Sequence, residues 1–255
     1  MNKKVSIEEY GYISFNRIIE ELERTEYHIH KQRLQQIANR KPQISIVDLS
    51  SKKIENEFCS EDSSIIIPYT SDNIGTSHIL EYPPMPFEGR MIEWLPIINL
   101  MKYQTSEEFQ SSVYHELSHL FSSSKWKKIS GNPLRIQHVA GINIEEYEYK
   151  NNEIEKKSIQ KLTLLDELIN DFIAMFLYNK IENKPYFNHL YRKEFDLYLM
   201  QRIQKTGNGT VEWFIGKYFL QDLQSIEEIL IKGTPEKSLK ELEKKFHKRI
   251  SKERD

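Results

Sequence analysis

Thr105 to Ser124 reads TSEEFQSSVYHELSHLFSSS, and this stretch governs how the rest of the chain is interpreted. Thr105 with Glu108 three positions on has the form of a capping box, which predicts a helix running to about Ser124. Val113, Tyr114, Leu117, Leu120 and Phe121 recur at helical spacing and give that helix an apolar stripe. Set into the stripe is His115-Glu116-Leu117-Ser118-His119, the pattern H-E-x-x-H. Residues four apart share one helix face, so both imidazoles can reach a single metal ion. Neutral imidazole suits Zn²⁺ at about 2.0–2.1 Å. Glu116 projects beside the ion rather than onto it, where it can take a proton from water as a general base. With eight histidines in 255 residues, only about 0.03 chance matches to this pattern are expected. A His-Glu-His set on a largely buried helix would also be costly without a partner.

A catalytic zinc takes three protein ligands and keeps one position open. Thr163 with Asp166 predicts a second capped helix, continuing to about Ile181, with Leu164, Leu168, Phe172 and Met175 as its core stripe. Glu167 and Asp171 stand i and i+4 on that helix, so their carboxylates face the same way. Glu167 is the candidate third ligand. Asp171 is the candidate acceptor for the other ring N–H of a ligating histidine, a contact that fixes the tautomer and raises basicity. Between His119 and Glu167 lie 47 residues.

H-E-x-x-H on one helix with E-x-x-x-D on a later one resembles the gluzincin metallopeptidases. The resemblance covers about 105–180 and, more loosely, the strand-rich stretch before it. It implies an α+β, zincin-like fold in which a small mixed sheet packs on the H-E-x-x-H helix, followed by a mainly helical C-terminal part. It also implies one Zn²⁺ per chain held by His115, His119 and Glu167, with Asp171 behind them and Glu116 as the catalytic base. The activity implied is hydrolysis of a protein or peptide substrate. In the family an edge strand holds extended substrate, and Met91–Leu100 or an earlier run is the expected counterpart. A downstream His or Tyr stabilises the oxyanion there; His189, Tyr191 and Tyr198 are the candidates. The string Asn170-Asp171-Phe172-Ile173-Ala174 is also similar to cytoplasmic zincins that cut phage and mobile-element repressors, with the acid in a different register.

Outward from the two motifs, the chain reads as a single domain, 1–255. Ser6 with Glu9 opens an N-terminal helix, 6–40. Short β-branched runs at Ile44–Val47, Ile65–Ile67 and His78–Tyr82, punctuated by Pro and Asn-Ile-Gly, predict a sheet before the active-site helix, 42–124 together. Met91–Leu100 carries Pro96, which makes it an edge or interrupted strand. Asn151-Asn152 inside an alternating segment predicts a β-hairpin over 135–160. The third-ligand helix and a helical C-terminal part fill 163–255, with Thr234-Pro235 as a helix start and Leu239, Leu242, Phe246 and Ile250 as a docking stripe.

Composition narrows the classes. Lys+Arg is 36 against 38 Asp+Glu, a net charge of -2, which argues against a nucleic-acid binder. At 38% hydrophobic and 11% aromatic residues, a packed core is within reach and general disorder is not expected. One cysteine, Cys59, excludes an intramolecular disulfide and a Cys-rich zinc module. No apolar run of membrane-spanning length occurs and the first residues lack a signal-type apolar segment, so no membrane is expected and the cytoplasm is the expected compartment. His138 and His189 stand alone in sequence and read as surface or core histidines. The alternative to an enzyme is a non-catalytic metal-binding protein of a phage or mobile element that acts by interaction with DNA or a partner.

Overall fold

The computed structural model describes residues 7–47, 78–80, 83–87, 90–92, 95–101, 106–124, 126–131, 133–150, 153–186, 193–206 and 209–252. Helix and strand are mixed, as an α+β chain requires. Helix α1 (Ile7–Leu22) buries Phe15, Ile18 and Leu22, spaced to share one face. The single N-terminal helix expected from the sequence is broken after α1. A 3₁₀ turn (Thr25–Tyr27) follows, His28 takes a left-handed conformation at φ 54°, and α2 (Lys31–Ala38) starts anew. Gly216 packs so closely on this turn that a Cβ there would sit 1.7 Å from the Tyr27 carbonyl oxygen. His30 caps α2 through Nδ1, which accepts the Arg33 amide at 3.1 Å.

Strand β1 (Gln43–Val47) runs parallel to β5 (Ile97–Met101), and β2 (His78–Leu80) pairs antiparallel on β5's other side. Strands β3 (Met85–Phe87) and β4 (Arg90–Ile92) form a separate antiparallel pair. The Met91–Leu100 run is therefore interrupted, as Pro96 allows, but its second half is not an edge. It is the middle strand of the three-stranded sheet, because the Pro96 carbonyl and the residues after it receive β1. The runs at Ile65–Ile67 and Cys59 lie outside the described residues.

Helix α3 (Ser106–Ser122) buries Val113, Tyr114, Leu117, Leu120 and Phe121, the stripe read from sequence. Its capping residue, Thr105, lies outside the described residues. The segment expected as one hairpin is larger. Four antiparallel strands follow in the order β6 (Lys127–Gly131), β7 (Leu134–Ala140), β8 (Asn143–Lys150), β9 (Glu153–Gln160). Gly141 at φ 57° already turns β7 into β8 within 135–160; Asn151-Asn152, the expected turn, lies outside the described residues.

Helix α4 (Thr163–Glu182) packs against α3 and buries Leu165, Leu168, Ile169, Phe172, Ile173 and Leu177. The expected Thr163–Asp166 capping box does not form. The N-cap is Leu162, whose carbonyl accepts the Asp166 amide at 2.9 Å, and Glu243 of the last helix accepts the Leu164 amide at 3.0 Å. Helices α5 (Lys193–Lys205), α6 (Val211–Phe219), α7 (Leu223–Ile231) and α8 (Leu239–Lys252) complete the described chain. Helix α8 begins four residues after Pro235, with the Ser238 hydroxyl facing the Glu241 amide, and docks through buried Leu239, Leu242 and Phe246. Arg33 of α2, only 6% exposed, donates to the carbonyls of Phe121, Ser123 and Phe219 at 2.7–2.9 Å, satisfying the last turns of α3 and α6.

Candidate metal centre

Helices α3 and α4 pack face to face, and His115 and His119 of α3 meet Glu167 and Asp171 of α4 within that contact. His115 and His119 lie one turn apart, with their Nε2 atoms 3.1 Å from each other. Glu167 of α4 points one carboxylate oxygen at both, 3.3 Å from His115 Nε2 and 3.4 Å from His119 Nε2. Three donor atoms thus converge within 4.8 Å, a group that could hold a metal ion. Two imidazoles and a carboxylate fit a borderline-soft divalent cation in donor type and number. Glu167 keeps its side chain 48% exposed, so the cluster is open on that flank.

The surroundings orient the donors. Asp171 sits 2.6 Å from His115 Nδ1, so that nitrogen carries the hydrogen and donates, leaving Nε2 lone-pair outward. Burial alone would favour neutral His115; the adjacent Asp171 carboxylate overrides it and raises the imidazole well above its ordinary range. Burial likewise opposes charge on His119, and Glu167 raises it. For Glu167, enclosure raises the carboxyl, but the pull of His119 and then His115 holds it far below the usual carboxylate range. Glu116 is 3% exposed, and burial pushes its carboxyl up against the lowering influence of His115 and His119.

Asp166 and its neighbours were not legible as part of this site. Its carboxylate accepts the Ile142 amide at 2.9 Å and the Tyr218 hydroxyl at 2.6 Å, while its other oxygen lies 3.9 Å from His119 Nδ1. Asn170 in turn donates to the Tyr218 oxygen at 2.8 Å. Burial raises the Asp166 carboxyl to about 6, with His119 and these donors acting in the opposite sense. The sequence offered no signal for Tyr218, which arrives from α6, 52 residues away from Asp166.

Of the oxyanion candidates, His189 and Tyr191 lie outside the described residues. Tyr198 gives its hydroxyl to the Leu230 carbonyl and packs its ring against Phe195 and Phe246, so it belongs to the C-terminal helical cluster. His138, expected as a surface or core histidine, is buried against Trp126, ring centroids 4.2 Å apart and nearly parallel.

No family model, curated protein or solved structure matches this chain. Fold and site define its class on their own terms: a mixed helix–strand protein with a His-His-Glu group able to hold a metal ion. No helix among the described residues is long and apolar enough to cross a membrane.

Proposed function

We propose that this chain is a zinc-dependent peptidase of gluzincin type with a zincin-like core, acting on protein or peptide substrates. The observation that carries the reading is the convergence of His115, His119 and Glu167 beside a buried acid, Glu116, for which no ligand role is assigned. A structural site has no need of such an acid; a hydrolytic one does. Bound Zn²⁺ supplies Lewis acidity, polarising a carbonyl and making water acidic near neutral pH. Glu116 accepts the proton of the attacking water and then delivers it to the leaving amine. Burial raises its carboxyl, which makes it a readier proton acceptor than a solvated carboxylate. Asp171 holds His115 in the tautomer that presents Nε2, and the α3–α4 contact holds Glu167 opposite the pair.

Glu116→Gln is the test. The amide is nearly isosteric and no ligand role is assigned to it, so the variant should retain about one zinc per chain while peptide hydrolysis falls by roughly 10²–10⁴-fold, about 3–5 kcal/mol of barrier. Zinc content is read by plasma emission and cleavage with a fluorogenic peptide library. Loss of zinc in the variant would make Glu116 a ligand and the site a non-catalytic one.

A further inference from the structure

Beside His119 opens a cleft of about 290 Å³ that the two metal-motif helices do not account for. Its floor is one face of the β7–β8–β9 sheet. The pairings His138↔Glu145, Glu145↔Ser158 and Tyr147↔Lys156 set these five side chains on the same side, as the alternation of a pleated sheet requires. The sheet thus leads directly from a candidate ligand, His119, to a row of polar groups.

Resting on the peptidase reading above, we propose that this cleft is a subsite for an acidic side chain of the peptide substrate, with Lys156 as the residue that selects its charge. Glu145 is engaged on both oxygens: Oε2 accepts the Tyr147 hydroxyl at 2.9 Å, and Oε1 meets Lys156 Nζ at 2.6 Å. It is therefore a holder of Lys156 and a poor acceptor for a cationic substrate group. Lys156 is half exposed and carries three donors, so the Glu145 contact leaves it hydrogen-bonding capacity toward the cleft. Its ammonium lies over the Tyr147 ring, 5.6 Å from the centroid, a second contact that limits its wandering. Lys161 lines the same cleft and adds a second cation, so the described lining holds two ammonium groups against one committed carboxylate. A divalent ion at the adjoining histidines would add to the same sign. A bulky apolar side chain would cover these polar groups without replacing their water, at a cost that a carboxylate avoids.

The experiment uses the whole 255-residue chain, zinc-loaded, and quenched fluorogenic peptides that differ only in Glu, Gln, Lys or Leu at the positions flanking the cut bond. Wild type should favour Glu over Gln by about tenfold in kcat/KM, the low end for a hydrogen bond between charged groups in a half-open site. In Lys156→Gln the Glu-to-Gln ratio should collapse toward one, and in Lys156→Glu the order should invert in favour of Lys. Lys156→Met provides an uncharged alternative should one variant fold poorly, with circular dichroism and zinc content as controls. A wild type indifferent to Glu against Gln, or a ratio unmoved by Lys156→Gln, overturns the subsite while leaving the peptidase reading intact. Zinc-loaded wild type that cuts no member of the series overturns the peptidase reading, and the subsite with it.

Discussion

Asp171→Ala should weaken zinc binding by roughly 10- to 100-fold, about 1.4–2.7 kcal/mol, without unfolding the protein. The structural basis is specific. The Asp171 carboxylate is 4% exposed and sits 2.6 Å from His115 Nδ1, a charge-assisted contact that fixes both the ring's rotation and its tautomer. Alanine removes the acceptor, leaves Nδ1–H facing a small void, and frees the ring to turn Nε2 away from Glu167. A second effect acts in the opposite sense. Asp171 is the chief influence raising the His115 imidazole, so in the metal-free protein it also favours a proton that competes with zinc. Its removal relieves that competition near neutral pH and hides part of the loss. The deficit should therefore widen as the pH is raised from about 7 to about 9, where protons compete less. Chelator competition at the two pH values measures it directly. Asp171→Asn retains an acceptor oxygen and should show a smaller deficit. Equal zinc affinity of Asp171→Ala and wild type at both pH values would refute the claim that this carboxylate positions His115.

Two further outcomes follow from the same geometry. Gly141→Ala should destabilise the fold by about 3–5 kcal/mol: a Cβ there falls 1.9 Å from the Asp166 carboxylate and 2.3 Å from the Tyr218 hydroxyl, φ is 57°, and the displaced Asp166 would leave a buried amide and phenol without their acceptor. Urea unfolding reads it, and a loss below about 1 kcal/mol would contradict the packing. Zinc binding should release protons and strengthen with rising pH. Both imidazoles are raised in the metal-free protein, so their stabilising contribution is fully present below the ordinary histidine value of about 6.5 and is lost as pH rises through the raised values, the same window in which the rings become available as ligands. Calorimetry in buffers of different ionisation enthalpy detects the protons, and a pH-independent affinity would exclude the histidines as ligands.

What was legible in the sequence was what short-range periodicity carries. The α3 stripe from Val113 to Phe121 and the one-turn spacing of His115 and His119 are facts about a helix, and any helix over this stretch reproduces them. Glu167 and Asp171 were placed on one face by the same rule, and α4 puts them opposite the histidines. Sequence reading failed where a distant partner decides local structure. Gly216 packs on the 3₁₀ turn at Tyr27, where the expected 6–40 helix is broken, and the Asp166 amide goes to the Leu162 carbonyl rather than to Thr163. Strand β1 pairs with Ile97–Met101, so that an earlier run rather than the second half of Met91–Leu100 supplies an edge. Asp166 was misread for a related reason. Asp three residues after Thr is a sound capping signal, but burial beside Ile142 and Tyr218 gives the carboxylate two donors that the helix start would have to replace.

The 47 residues between His119 and Glu167 separate the two motifs in sequence, and in the structure they join them. The Ser124 amide donates to the Val139 carbonyl at 2.7 Å, and the Gly141 amide donates to the Ser122 carbonyl at 3.1 Å, tying the β7–β8 turn to the end of α3 that carries His119. One residue on, the Ile142 amide donates to Asp166, and the Asn143 side chain accepts the Leu162 amide at 2.7 Å, tying the same turn to the start of α4 that carries Glu167. Gln221 then donates to both Ser122 and Val139 carbonyls from the end of α6. A turn bonded to both helices transmits any displacement of one to the other, so the 3.4 Å approach of His119 and Glu167 depends on the sheet as well as on the α3–α4 packing. The same brace explains why a small residue stands at Gly141: it lies at the point where the turn, Asp166 and Tyr218 come together, and no Cβ fits there.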